Sequence, residues 1–447
     1  MTSSEYLLIS MTRHSIPFNQ GSTETSMKAD ESGLGISQTK HRRRSFYRAV
    51  LAANWCSLVP GNQITLLQNG SAYFPAIETA IDRACHEIYL ETYIYQNDAI
   101  GQRIAEALQR AARRGVHVYV LIDGYGSKDL PRSMRNQLRD DGIQILVYRP
   151  KISPWTFRRK RLRRMHRKIV VVDREIAFVG GINIIADWEE TYAMPPRYDF
   201  AVSVQGPLVD VIRLSAQRLW SMVAWKHFRK GTVRSGVLPV STFSGGTMSA
   251  AFLVRDNFRH RRDIEAAYMG AIKQAKSEII IASAYFLPGV DFRHALINAA
   301  GQGVRVVLLL QGKSDHPLQR YASQALYGNF LAAGIEIYEY HLSFLHAKAA
   351  VIDRFWATVG SSNIDPFSLL LSREANVVIN DPAFATTLAQ SMEKTMETDG
   401  QRILADNWKQ QSTGLRFLSW LSYGWLRLMM GISGYARAYG RTSNKKN

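Results

Sequence analysis

Short apolar runs alternate with amphipathic stretches along most of the chain. Ile88 to Tyr95 and Val116 to Asp123 have the composition of buried strands, whereas Ile100 to Arg114 between them carries apolar residues at helical spacing. The same order returns in the second half, where 278–286 (EIIIASAYF) corresponds to 87–95 (EIYLETYIY). This repeat predicts an α/β fold with two tandem domains, each a mixed or mostly parallel sheet flanked by helices.

Composition predicts where these domains begin and end. The start of the chain is mostly polar and predicts a disordered extension, and a stretch rich in Gly, Ser and Thr near the middle predicts a linker. The predicted divisions are an extension over 1–55, a first domain over 56–230, a linker over 231–250, a second domain over 251–405 and a tail over 406–447.

The tail differs from the rest of the chain because 415–440 is rich in Trp and Leu and has no acidic residue. On a helix, one stripe is small or polar and leaves a broad apolar and aromatic face, which indicates a helix lying in a membrane interface. A terminal helix docked on the protein core is the alternative. The stripe consists of Arg416, Ser419, Ser422, Arg427, Gly431 and Gly434.

One motif occurs twice in register. The pattern His-x-Lys-x4-Asp followed by Gly-[Gly/Ser]-x-Asn spans 165–183 and returns at 345–363, so equivalent residues lie 180 apart (346 − 166). A single His-x-Lys usually marks a solvated strand face, but two copies with matching Gly and Asn are rarely accidental. His and Lys at this spacing share one strand face, and an imidazole beside a fixed positive charge suits a phosphate. One half-site on each domain predicts an active site at the domain interface.

The net positive charge of the chain favours an anionic binding partner. The chain has 56 Lys and Arg against 37 Asp and Glu, a net charge of +19, which favours nucleic acid or acidic phospholipid without choosing between them. The run 158–164 (RRKRLRR) places positive charge just before the first motif. Two cysteines indicate neither a disulfide framework nor a metal cluster. The sequence has no uninterrupted apolar run of about 18 residues, so it predicts no transmembrane helix.

With segments such as DGYGS (123–127) and SAYFLPG (283–289), the doubled motif resembles that of the phospholipase D superfamily. Within it the chain is most similar to the bacterial cardiolipin synthases, especially the B-type form, over about 55–400. The resemblance implies pseudo-two-fold symmetry. It also implies transfer of a phosphatidyl group from phosphatidylglycerol to a second phospholipid headgroup through a phosphohistidine, with no metal and no other cofactor. A phospholipase D-type hydrolase and a nuclease of the superfamily remain alternatives, although no nucleic-acid module is recognisable.

The resemblance also implies a role for each motif residue. One histidine attacks phosphorus while the other donates and later accepts a proton, and lysine and asparagine side chains hold the non-bridging oxygens. We expect His166 to be the nucleophile and His346 the acid and base. The implied set comprises the catalytic residues His166, Lys168, Asp173, His346, Lys348 and Asp353 and the phosphate-binding residues Asn183 and Asn363.

Two further carboxylates are expected near the histidines. Seven residues of strand, about 23 Å, separate each motif histidine from its aspartate, so Asp173 and Asp353 are expected to act structurally at a hairpin turn. Asp199 and Glu374 follow the two motifs at matching positions and are the expected orienting residues, with Asp199 expected to orient His166. An exposed acid at a strand start is the alternative for each.

These expectations define partners and location. The expected substrates are anionic phospholipids, with phosphatidylglycerol as donor and phosphatidylglycerol, phosphatidylethanolamine or a free alcohol open as acceptor. A membrane surface is an expected partner and nucleic acid is not. We expect the protein at the bacterial inner (cell) membrane, peripheral on the cytoplasmic side.

Overall fold

The computed structural model describes residues 58–150, 163–186, 195–226, 243, 245–256, 260–313, 317–365, 372–410 and 412–432. All of the predicted extension and most of the predicted linker therefore lie outside the described residues. The same holds for 158–162 of the basic run and for the tail beyond 432.

The first half alternates strands and helices as the apolar pattern predicts. Its strands are β1 (Val59–Gln68), β2 (Glu87–Thr92), β3 (His117–Asp123), β4 (Gln144–Tyr148), β5 (Ile169–Val172), β6 (Ile176–Gly180) and β7 (Phe200–Gln205). Its helices are α1 (Asn69–Arg83), α2 (Ala99–Arg113), α3 (Arg132–Asp140) and α4 (Leu208–Lys226).

The second half repeats this order and then adds a terminal helix. Its strands are β8 (Met248–Arg255), β9 (Glu278–Ser283), β10 (Arg305–Gln311), β11 (Glu336–Tyr340), β12 (Lys348–Ile352), β13 (Trp356–Gly360), β14 (Glu374–Asn380) and β15 (Gly400–Ile403). Its helices are α5 (Asp263–Gln274), α6 (Val290–Gly301), α7 (Pro317–Gln324), α8 (Tyr327–Ala332), α9 (Pro382–Asp399), α10 (Ala405–Lys409) and α11 (Thr413–Ile432).

All of these strands join one mixed sheet, in the order β15-β11-β10-β9-β12-β13-β14-β8-β1-β7-β6-β5-β2-β3-β4. In each half, three strands pair in parallel and the remaining pairs are antiparallel. The halves share this sheet because β1 pairs with β8 at their boundary. Strand β8 begins at Met248, within the stretch 231–250 that was predicted as the linker.

Helices cover both faces of the sheet. Helices α1 to α3 bury their apolar residues against the first half in one core cluster, and α5, α6 and α8 do so against the second half in another. On the opposite face, α4 and α9 share a single core with strand residues of both halves. This shared core holds the two halves together and brings the two motif copies to the same place. Among the described residues, no helix is both long and apolar enough to cross a bilayer.

Candidate active site

Each motif histidine is held by backbone of the opposite half. The N–H of His166 donates to the carbonyl of Arg373 at 2.9 Å, and the N–H of His346 donates to the carbonyl of Tyr198 at 2.8 Å. These bonds belong to short parallel bridges, Met165 with Arg373 and Leu345 with Tyr198. The two half-sites therefore meet where the halves of the chain adjoin, as the doubled motif predicted.

The orienting carboxylates are exchanged between the halves. Nδ1 of His166 lies 3.1 Å from Oε2 of Glu374, and Nδ1 of His346 lies 2.6 Å from Oδ2 of Asp199. The expectation that Asp199 orients His166 is wrong. Because each histidine segment pairs with the chain that precedes the other half's carboxylate, Asp199 reaches His346 and Glu374 reaches His166. A carboxylate at Nδ1 keeps the proton on that nitrogen, so Nε2 retains the reactive lone pair.

The residue after the motif glycine differs between the half-sites. In the second copy, Ser361 donates its hydroxyl to Oε2 of Glu374 at 2.6 Å, and its carbonyl oxygen lies 3.2 Å from Nδ1 of His166. Gly181 occupies the matching position in the first copy, where a Cβ would come within 2.2 Å of Oδ1 of Asp199. The glycine therefore makes room for an aspartate, whereas the serine supports a glutamate.

The motif lysines are buried beside their histidines. Nζ of Lys168 donates to the carbonyl of His166 at 2.7 Å, and Lys348 makes the same bond to His346. Burial lowers the pKa of Lys168 to about 7, although Glu374 acts in the opposite direction. The ring centroid of Tyr93 lies 5.5 Å from this ammonium group. Both lysines are anchored at the strand end that carries the histidines, so their positive charge is concentrated there.

The motif asparagines return to the same end of the sheet. Asn183 and Asn363 are buried and follow β6 and β13, which pair antiparallel with the motif strands. The residue after each bridges to the loop that follows β2 or β9, and the side-chain oxygen of Asn183 accepts the N–H of Ile94 at 3.1 Å. This bond orients the carboxamide so that its NH2 end is the one that can donate to an anion.

The electrostatics of the site favour neutral imidazoles before an anion binds. Burial lowers the pKa of His166, partly offset by Glu374, and burial together with Lys348 and Lys168 lowers that of His346 well below its usual range. Burial also raises the pKa of Asp199 to about 6. A bound phosphodiester would add negative charge to this cluster and raise the histidine pKa values again.

The motif aspartates do not join the histidines. Asp173 lies at the opposite end of β5, at a hairpin turn where it adopts a φ of 51°, and its carboxylate accepts the N–H groups of Cys85, His86 and Glu87 at 2.8–2.9 Å. Asp353 does the same for 276–278 in the second half. Their inclusion in the implied catalytic set is corrected by this geometry: each ties the hairpin to the start of β2 or β9.

Three charged residues near the first half-site were not among the candidates. Asp123 at the end of β3 is fully buried and accepts the N–H of Met165 at 2.9 Å, which fixes the segment entering His166. Arg167, the variable residue of His-x-Lys, forms a buried ion pair with Glu91 at 2.7 Å. A charge inside an otherwise apolar strand was the available signal for Glu91, and the DGYGS segment was the signal for Asp123.

Comparison with known proteins identifies relatives over most of the chain. Residues 77–189 and 268–396 match the family described as "Cardiolipin synthase, PLD-like domain". Cardiolipin synthase B of Escherichia coli K12 is 40% identical over 353 residues, which is 78% of this chain and 84% of that protein. Cardiolipin synthase B of Salmonella typhi is 38% identical over 389 residues, which is 86% of this chain and 92% of that protein.

The fold also has a relative among solved structures. The crystal structure of a phosphatidylserine synthase from Haemophilus influenzae superposes with a TM-score of 0.66 and covers 87% of this chain and 99% of its own. At 15% sequence identity, this likeness concerns the fold alone.

Proposed function

The chain belongs to the cardiolipin synthase family with a phospholipase D-like domain, and from this premise we propose that it forms cardiolipin by phosphatidyl transfer. The donor is phosphatidylglycerol and the product alcohol is glycerol. The observation that carries the proposal is the pairing of two complete His-Lys-Asn half-sites, each histidine oriented by a carboxylate of the other half.

In the first step, Nε2 of His166 attacks the phosphorus of phosphatidylglycerol. The bond from phosphorus to the glycerol oxygen breaks, and His346, protonated once the anionic lipid is bound, donates its proton to that oxygen. The two contacts at Nδ1 of His166 support this assignment, because the carbonyl of Ser361 can only accept a hydrogen bond and thus keeps the proton on Nδ1. His346 faces a single carboxylate at 2.6 Å, a partner that stabilises an imidazolium.

In the second step, a headgroup hydroxyl of another phospholipid attacks the phosphohistidine. His346 accepts the hydroxyl proton, the N–P bond breaks, and the phosphatidyl group passes to the acceptor. Lys168, Lys348, Asn183 and Asn363 donate to the non-bridging oxygens as their charge grows, and this stabilisation of the transition state requires no metal.

Phosphatidylglycerol is also the acceptor that fits this chemistry. Its headgroup carries hydroxyls, whereas the headgroup of phosphatidylethanolamine ends in an amine, whose attack would give a phosphoramidate instead of a phosphodiester. The net charge of +19 favours anionic lipid for both roles. The enzyme would act peripherally at the inner membrane, from its cytoplasmic side.

Product analysis tests this proposal. Purified protein is incubated with phosphatidylglycerol vesicles, with and without phosphatidylethanolamine or plasmid DNA, and products are followed by mass spectrometry. The expected products are cardiolipin and glycerol in equal amounts, from phosphatidylglycerol alone. Phosphatidic acid without cardiolipin would mean a hydrolase, and cleavage of DNA without lipid turnover would mean a nuclease.

Two variants control this assay. His166→Ala should abolish product, whereas His117→Ala, which changes an exposed histidine at the far end of β3, should leave turnover unchanged. Product formation that survives His166→Ala would contradict the assignment of this site.

A further inference from the structure

Helix α11 docks on the protein through the two serines of its small and polar stripe and one leucine beside them. Ser419, Ser422 and Leu426 are buried, and the helix packs along α7 and the core of the second half. Most of the large apolar side chains point away: Phe417 is 70% exposed and Trp420 is 59% exposed. Other exposed apolar residues of the same helix are Leu415, Leu418, Leu421, Trp425 and Leu428.

This arrangement is the reverse of that expected for a helix that only completes a core. A surface helix normally buries its apolar stripe and exposes its polar face, because apolar surface left in water costs about 25 cal/mol per Å². Contiguous exposed aromatic and aliphatic side chains mark a surface that another apolar phase covers. Leu426 faces inward, but most of the other large apolar side chains of α11 stay exposed when the helix is docked.

The position of α11 relates it to the candidate active site. Lys348 pairs with Ser283 at the end of β9, and β10 runs parallel to β9, so the active site lies at the end where β10 also finishes. Helix α7, on which α11 packs, follows that end of β10 in the chain. The exposed apolar face is therefore carried on the end of the second half that holds its half-site.

Charge and side-chain type indicate what covers this face. Residues 413–432 contain Arg416 and Arg427, both exposed, and no Asp or Glu. Trp and Tyr prefer the boundary between apolar and aqueous phases, and arginine beside them favours anionic headgroups. A second copy of this chain fits less well, since a symmetric contact through this face would bring the same arginines together.

We propose that the outer face of α11 inserts into the surface of an anionic phospholipid bilayer and turns the active site towards it. The helix lies in the plane of the interface, because 20 residues with both serines and one apolar residue held by the protein cannot also span a bilayer. The inference rests on the proposed function only in that the substrate is a membrane lipid. Vesicle binding itself requires no turnover.

Matched substitutions test this surface. Phe417→Ser with Trp420→Ser removes two exposed aromatic side chains from α11. Phe355→Ser removes one that is 51% exposed in the hairpin turn between β12 and β13, at the opposite end of the sheet. Binding is measured by sedimentation with vesicles of phosphatidylcholine containing one quarter phosphatidylglycerol, and folding is checked by thermal unfolding.

The α11 variant should bind these vesicles about a hundredfold more weakly, whereas Phe355→Ser should bind like the wild type. Turnover of phosphatidylglycerol dispersed in detergent micelles should stay within about twofold for both variants. Unchanged vesicle binding by a folded α11 variant would overturn the inference. The inference would also be overturned if analytical ultracentrifugation showed that the wild type is a dimer and the α11 variant a monomer, while the variant still bound vesicles like the wild type. A wild type that binds vesicles but makes no cardiolipin would refute the proposed function and leave this inference standing.

Discussion

The two half-sites share His, Lys and Asn but differ in what lies behind them. In the first, the variable motif residue Arg167 pairs with buried Glu91, which sits opposite Ile169 in the sheet. In the second, the matching positions are Ala347 and Ala282. The residues behind the carboxylates differ as well: Ser361 donates a hydrogen bond to Glu374, whereas Gly181 leaves space for Asp199. The shared residues are those that would touch the phosphate, and the differing ones set orientation and charge.

The largest expected difference concerns which histidine forms the covalent bond. His166→Ala and His346→Ala should each lower cardiolipin formation by more than about 10⁴-fold, because nucleophile and acid act as one unit. In the wild type, rapid quenching in denaturant followed by peptide mass spectrometry should locate the phosphatidyl adduct on His166. An adduct on His346 would reverse the roles of the half-sites. His117→Ala serves as the control and should retain the adduct.

The next difference lies in the carboxylates. Oδ1 of Asp199 accepts the N–H of Phe200 at 2.8 Å, so an asparagine would keep its oxygen there and present its NH2 group to His346. Asp199→Asn should therefore impose the wrong tautomer and lower kcat by about 10³-fold. Glu374 accepts both of its bonds from His166 and Ser361 at Oε2, which one glutamine oxygen could also do. Glu374→Gln should lower kcat by only about tenfold. Equal losses in the two variants, at equal thermal stability, would contradict this distinction.

The buried ion pair should affect stability more than chemistry. Glu91→Ala leaves the guanidinium of Arg167 buried without its counter-charge and should reduce the free energy of unfolding by about 3–5 kcal/mol. The double variant with Arg167→Ala, which copies the alanines of the second half, should lose less. Denaturant unfolding measures both. Arg113→Ala, at an exposed pair with Asp141, is the control and should cost less than about 1 kcal/mol. Additive losses in the double variant would show that the pair is not coupled.

The repeat, the mixed α/β architecture and the family were predictable from sequence and are confirmed, because a doubled motif in register reports both fold and site. The exchange of Asp199 and Glu374 was not predictable, since it depends on the bridges of Met165 and Tyr198 to the opposite half. The role of Arg167 was not predictable either, because Arg167 occupies the variable position of His-x-Lys. Only burial distinguishes it from a solvated arginine.

The pH dependence should separate the half-sites. Asp199, whose pKa is about 6, must be ionised to orient His346, so kcat/KM should fall as pH decreases through about 6. Lys168, whose pKa is about 7, must be protonated to hold the phosphate, so kcat/KM should also fall as pH rises through about 7. Beyond each limit the expected change is about tenfold per pH unit. If kcat/KM stayed constant as pH decreased through this range, ionised Asp199 would not be required to orient His346.

The smallest expected effect concerns Ser361, which supports Glu374 in one half-site where Gly181 stands in the other. Ser361→Ala removes one hydrogen bond to the glutamate but keeps the backbone carbonyl near Nδ1 of His166, so kcat should fall about tenfold with little change in KM. Ser361→Gly copies the residue of the first half-site. Its kcat should equal that of the alanine variant, and a lower kcat would mean that the added backbone freedom of glycine also disturbs the site. Because Glu374 would keep its contact with His166, neither variant should change the acid limb set by Asp199. A shifted acid limb would mean that the two half-sites titrate as one unit.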